Sequence, residues 1–163
     1  MRRVPKQVPV SATRGIAVLC ASLLMGAMPL APYQEPLRPH VHFTPQRNFM
    51  NDPNGLVFFD GEYHLFYQHN PFGDTWGHMS WGHAVSRDLL RWEHLPVALA
   101  EHAGEMVFSG SAVVDRANTS GLGHADQPPL VAIYTGHTAR EQTQNLAWST
   151  DRGRSWTRHA GNP

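Results

Sequence analysis

The sequence predicts an all-β fold of the propeller type, with about two blades present. Three observations carry this expectation. Beyond residue 31 the chain is a series of short apolar or alternating segments broken by turn residues, with no amphipathic helical pattern of ten or more residues. A Ser, Asp and Arg pattern occurs twice at an offset of 63, each copy followed by a Trp, the second after one extra residue. Charged residues make up only 16%, replaced by 14 Gly, 13 Pro, 11 His and 5 Trp. A helical bundle would instead be rich in Ala, Glu, Lys and Leu.

The elements follow in order. LVFF (56–59) and EYHLFYQ (62–68) flank Asp60-Gly61, the signature of a two-residue hairpin. MSWGHAVS (79–86) and a short stretch around Leu90 to Trp92 complete a first group of four, from roughly Asn54 to Leu95. VFSGSAVV (107–114), PLVAIYTG (129–136), QNLAWST (144–150) and a segment around Ser155 to His159 form a second, from roughly Met106 to His159. Four strands are the content of one blade. A β-sandwich of eight short strands is the alternative, and the repeat favours the propeller.

The repeat itself pairs Ser86-x-Asp88, Arg91 and Trp92 with Ser149-x-Asp151, Arg154 and Trp156. The second copy resembles the Asp-box turn of sialidase-like propellers. An Asp there accepts backbone N–H groups, Gly153 supplies positive φ, and the Trp packs beneath. This is a structural motif with no catalytic role.

Ahead of these strands, residues 1–31 hold Arg2, Arg3, Lys6 and Arg14 and no acid, a charge of +4. GIAVLCASLLMGAM (15–28) follows the basic start, and the whole reads as a secretory signal peptide, too short to span a membrane. The body, residues 32–163, carries nine Arg against 13 acids, a net −4 without Lys. The expected compartment is extracellular or periplasmic. The charge excludes a nucleic-acid binder, and no membrane association is expected once the leader is removed. Cys20 is the only Cys, so the body holds no disulfide and no thiol nucleophile.

Asn51-Asp52-Pro53-Asn54-Gly55 carries the chemistry. Pro53 restrains Asp52 toward an extended conformation, and Asn54-Gly55 tolerates a sharp turn into the strand that follows. The pentapeptide alone is compatible with a plain surface turn. Its context decides otherwise. HFTPQRNFMNDPNGLVFFDGEYHLFYQHNP, followed by WGHMSWGHAVS, DLLRWEHLP, FSGSAVVD and YTG, resembles glycoside hydrolase family 32, which holds invertases, levanases and exo-inulinases. The resemblance runs from about His40 to Pro163.

It implies a five-bladed propeller with an axial active site, of which about two blades are present. Asp52 matches the family's catalytic nucleophile, which attacks a β-fructofuranosyl unit. Asn51 and Asn54 match polar residues around the fructose. Gln68 matches a substrate-binding amide, and Trp76, Phe108 and Ser109 match residues of the pocket. The implied substrate is a fructan or sucrose, and no cofactor or metal is expected. Trp81, Trp92 and Trp156 are assigned to packing. His40 and His42 show metal-ligand spacing but lack the further ligands a site needs.

The mechanism requires a second carboxyl group. In the family it is a Glu in a Glu-Cys pair, with a further Asp in Arg-Asp-Pro. Neither motif occurs here: Arg87-Asp88 precedes Leu89, and no Cys follows Cys20. Glu62, Glu93, Glu101, Glu105 and Glu141 have no context that marks an acid. The chain therefore reads as the N-terminal part of such a domain, holding the nucleophile and part of the pocket, with poor folding expected of two blades alone; the alternatives are an inactive fragment and a carbohydrate-binding propeller piece without catalysis.

Overall fold

The computed structural model describes residues 33–124 and 126–163. The expected signal peptide, residues 1–31, lies outside them. Two four-stranded antiparallel meanders make up the structure. β1 (Met50–Phe59), β2 (Glu62–His69), β3 (Ser80–Ser86) and β4 (Trp92–Leu99) form the first sheet, in that order. β5 (Met106–Val114), β6 (Leu130–His137), β7 (Gln142–Ser149) and β8 (Thr157–Arg158) form the second. Among the described residues there is no helix. The predicted hairpin is present: Asp60 and Gly61 both take positive φ, 48° and 80°, the twist a two-residue turn needs.

Two elements differ from expectation. Asn51 to Gly55 is not a turn that precedes a strand. It lies inside β1, which begins at Met50, and the register against β2 shifts between Met50 and Pro53 and again between Asn54 and Val57. These irregularities let an edge strand absorb Pro53, which has no N–H to give. Gly55 takes φ +51°, and a Cβ there would stand 2.8 Å from the Phe66 ring. The second difference is β4, expected around Leu90 to Trp92 and found at Trp92–Leu99. Leu90 and Arg91 are withheld from the strand because their N–H groups donate to Asp88 Oδ1, at 2.9 and 2.7 Å.

The core lies between the sheets. Phe66, Trp81 and Leu99 of the first sheet meet Val107, Ala112, Ala132, Tyr134 and Ala147 of the second, all buried. Full burial of each large side chain contributes about 2 kcal/mol. Hydrogen bonds to backbone carbonyls fasten the site end of the interface: Val107 N–H donates to Met79 O at 2.8 Å, and Trp81 Nε1 donates to Phe108 O at 3.0 Å. Charge fastens the other end. Arg154 forks onto the Glu62 carboxylate, Nη2 donating to Oε1 at 3.0 Å and Nη1 lying 2.7 Å from Oε2. Arg152 reaches Asp60 at 3.0 Å.

Between those ends sits a buried imidazole pair. His64 Nδ1 and His83 Nε2 are 3.1 Å apart, so one ring donates and the other accepts. Phe66 stacks on His83 at 4.1 Å, and Gly153 of the second sheet's turn lies against both imidazoles. Burial holds His64 down to about 4 and His83 to about 3. The pair is neutral and belongs to the core.

Both repeat turns behave as their residues predict. Ser86 Oγ accepts from Leu89 N at 2.8 Å, and Ser149 Oγ accepts from Gly153 N at 2.8 Å. Asp151 Oδ1 accepts from Ser155 N at 2.9 Å, as Asp88 does from its own turn. Trp156 packs edge-on against Phe66 at 5.4 Å. Trp92 instead meets Phe43 at 5.5 Å, because residues 33–49 run across the outer face of the first sheet. Arg38 pins that segment, donating to Thr44 Oγ1 and Pro45 O at 2.7 Å each.

Candidate active site

The site forms where β1 and β5 run side by side. Asp52 is the third residue of β1 and is exposed. Its Oδ2 accepts from Ser109 Oγ at 3.0 Å, and its Oδ1 accepts from Asn51 Nδ2 at 3.2 Å. A carboxylate with one hydroxyl and one amide donor is held in a fixed orientation. Asn51, Asp52 and Ser109 therefore share one contact network, although Asp52 and Ser109 are 57 residues apart.

Asn54, expected among the polar residues around the fructose, makes two contacts with backbone. It is 2% exposed. Its Nδ2 donates to Asp52 O at 3.2 Å, and its Oδ1 accepts from Gly110 N at 3.2 Å. The amide is occupied by backbone on both sides, so it positions Asp52 against β5. Gly110 also lets β5 lie close to β6: a Cβ there would stand 2.2 Å from Ile133 O. Gln68 is also buried, and its Nε2 donates to Val107 O at 3.0 Å. That bond ties β2 to β5 just before Phe108 and Ser109.

The aromatic side of the site comes from two segments. Trp76 stands on the β2–β3 connection and is 59% exposed. Its ring meets Phe108 edge-on, at 6.3 Å and 71°. Phe108 in turn stacks flat on His137, at 4.3 Å and 9°. His137, the last residue of β6, backs the wall and was not singled out from the sequence; the signal was its place just after the quoted Tyr134-Thr135-Gly136. Trp81 was assigned to packing, and it is fully buried, but its Nε1 also holds the Phe108 carbonyl.

A carboxylate flanked by a hydroxyl, the Asn51 amide and aromatic faces fits a sugar, whose hydroxyl groups need polar partners and whose C–H patches need apolar ones. Among the described residues no group of three or more His, Cys, Asp or Glu converges as a metal site would.

Comparison with known proteins agrees with this arrangement. Residues 42–163 match the family model for the glycosyl hydrolases family 32 N-terminal domain. The levanase of Bacillus subtilis is 59% identical over 131 residues, which cover 80% of this chain and 19% of that protein. An extracellular exo-inulinase of Aspergillus awamori is 48% identical over 89% of this chain and 30% of its own length. The solved structure of a Schwanniomyces occidentalis fructofuranosidase complexed with fructose aligns with a TM-score of 0.73 and 45% identity, over 77% of this chain and 26% of that one. The chain thus spans between a fifth and a third of the length of these relatives. Its two sheets are two blades of the five-bladed β-propeller that these fructosidases share, and the chain belongs to glycoside hydrolase family 32.

Proposed function

We propose that these two blades supply the nucleophile side of a secreted β-fructofuranosidase that retains anomeric configuration and acts on fructan or sucrose. Asp52 is the nucleophile, attacking the anomeric carbon of the fructosyl unit as its bond to the leaving group breaks. Ser109 and Asn51 hold the carboxylate for that attack. Trp76 and Phe108 cover the apolar side of the sugar. Gln68 and Asn54 keep β1, β2 and β5 in register, so that the carboxylate and the aromatic wall face one space. The observation that carries the reading is the Ser109–Asp52 bond at 3.0 Å, which joins the two blades at the motif carboxylate. Export through residues 1–31 fits the extracellular exo-inulinase relative.

A retaining glycosidase needs a second carboxyl group about 5–5.5 Å from the first, as acid and then base. The 163 residues contain no Glu-Cys pair to supply it in the family manner. The purified chain is therefore expected to bind β-fructofuranosides and to release no fructose from sucrose, inulin or levan. Isothermal titration with methyl β-fructofuranoside tests the first half. Binding that survives the double substitution Asp52→Ala and Trp76→Ala, or no binding by an unmodified chain that unfolds in a cooperative thermal transition, would sink the proposal; that transition would also overturn the poor folding expected of two blades alone.

A further inference from the structure

We infer that His137 and Gln142 are positioning residues for the sugar site: from the second sheet they set the plane of the Phe108 ring. The inference rests on the proposed fructose site, and it concerns two residues to which that reading gives no part.

Phe108 needs such a hold because of the way β5 pairs. Val107 lies opposite Gly136 and Gly110 opposite Tyr134, so Phe108 and Ser109 together face the single residue Thr135 of β6. Two residues against one is a β-bulge, which re-aims side chains and gives up regular ladder bonds. Ser109, inside the bulge, reaches Asp52. The first sheet holds the backbone of this stretch: Gln68 Nε2 donates to Val107 O and Trp81 Nε1 donates to Phe108 O, both at 3.0 Å. Neither bond restrains the turning of the Phe108 ring about its own side-chain bonds.

His137 supplies that restraint. Its imidazole lies flat on the Phe108 ring, at 4.3 Å and 9°. Trp76 meets the same ring edge-on, at 6.3 Å and 71°. The imidazole is fixed in turn. His137 and Gln142 are direct partners across the β6–β7 turn, and Gln142 Nε2 donates to His137 Nδ1 at 3.2 Å. An amide nitrogen only donates, so His137 carries its proton on Nε2 and the ring takes one orientation. The turn below is closed as well. Thr138 N donates to Glu141 O at 3.0 Å, and Thr138 Oγ1 accepts from Arg140 N and Glu141 N at 3.2 Å each. Restraint therefore passes from Gln142 through His137 to Phe108. A ring already in its bound orientation gives up little freedom when the C–H face of a sugar meets it.

The test makes two measurements on the 163-residue chain. NMR reads the stack without any sugar: the His137 ring protons should lie upfield in the unmodified chain and return to ordinary positions in Phe108→Leu. Isothermal titration with methyl β-fructofuranoside reads its use. His137→Ala should weaken binding about five-fold, the worth of one aromatic contact. His137→Phe should restore affinity, because a flat ring stacks. His137→Leu should not, because it only fills the space. Gln142→Ala should weaken binding about two-fold and convert the imidazole nitrogen shifts from one tautomer to a mixture. His137 protons without the upfield shift overturn the inference whatever the chain binds. With the stack present, affinity unmoved by His137→Ala, or equal rescue by His137→Leu and His137→Phe, overturns the positioning role and leaves the fructose site standing. With the stack present, failure of the unmodified chain to bind overturns both.

Discussion

β3 and β7 hold the same place in their sheets and lead into the same kind of turn, yet their burial is unlike. Every residue of β3, Ser80–Ser86, is buried. β7, Gln142–Ser149, alternates between buried and more open positions. The first sheet is covered twice, by the second sheet on one face and by residues 33–49, through Phe43, on the other. The second sheet is covered once, and its far face leaves Val113 49% and Ile133 42% exposed. Strand periodicity therefore reports how many faces a sheet buries, and the local motif has no say in it.

The largest effect should separate those two faces. Phe66→Ala removes a fully buried ring from the shared core and should cost about 3–5 kcal/mol, read by urea denaturation. Ile133→Ala, on the uncovered face, should cost less than about 1 kcal/mol. Equal losses would show that the far face of the second sheet is packed in solution.

Acid comes next, because the imidazole pair sits where the sheets meet. Burial holds His64 and His83 below the usual histidine value of about 6.5. The unfolded chain then binds more protons than the folded one below that value. Stability is full above about pH 6.5 and falls as pH drops toward 4, by on the order of 2 kcal/mol per imidazole by pH 5. Glu62 adds to this lower down: its bond from Arg154 depresses its carboxyl, so its contribution is lost as pH falls below the usual carboxylate range. Arg152 and Arg154, which face the pair, raise the penalty for charging it. Denaturation midpoints at pH 7 and 5 check the slope, and His83→Phe should flatten it.

Arg154→Met leaves the Glu62 carboxylate buried without its fork and should cost about 2 kcal/mol. A double-mutant cycle with Glu62→Gln should show coupling, since the two residues touch. The smallest effect concerns the turns. Asp151→Ala should destabilise more than Asp88→Ala by thermal melting, because only the second turn carries Arg152 and Arg154 across to the other sheet. The reverse order would mean that each turn serves its own sheet alone.

Much of this was legible in order along the chain. The hairpin at Asp60-Gly61, the two groups of four strands and both Asp turns follow from residues a few positions apart, where turn geometry depends on local side-chain oxygens and positive φ. β4 was misplaced because Asp88 captures the N–H groups of Leu90 and Arg91, a competition that an apolar run does not reveal. The site was legible in part. Asp52 and its motif stood out by resemblance, but the role of Asn54 did not, since its partner Gly110 is 56 residues away. His137 escaped notice because stacking behind Phe108 leaves no mark on spacing.

By itself the sequence determined the strand content, the turn chemistry, the family and the identity of the motif carboxylate. Only the tertiary structure decided which oxygen of Asp52 meets Ser109, that Asn54 and Gln68 spend their amides on backbone, and that His64 and His83 lie neutral between the sheets. The physical reason is range. Propensity and capping act over a few residues, whereas those assignments need β1, β2 and β5 brought together across dozens of residues by the burial of Phe66 and Trp81 against the second sheet.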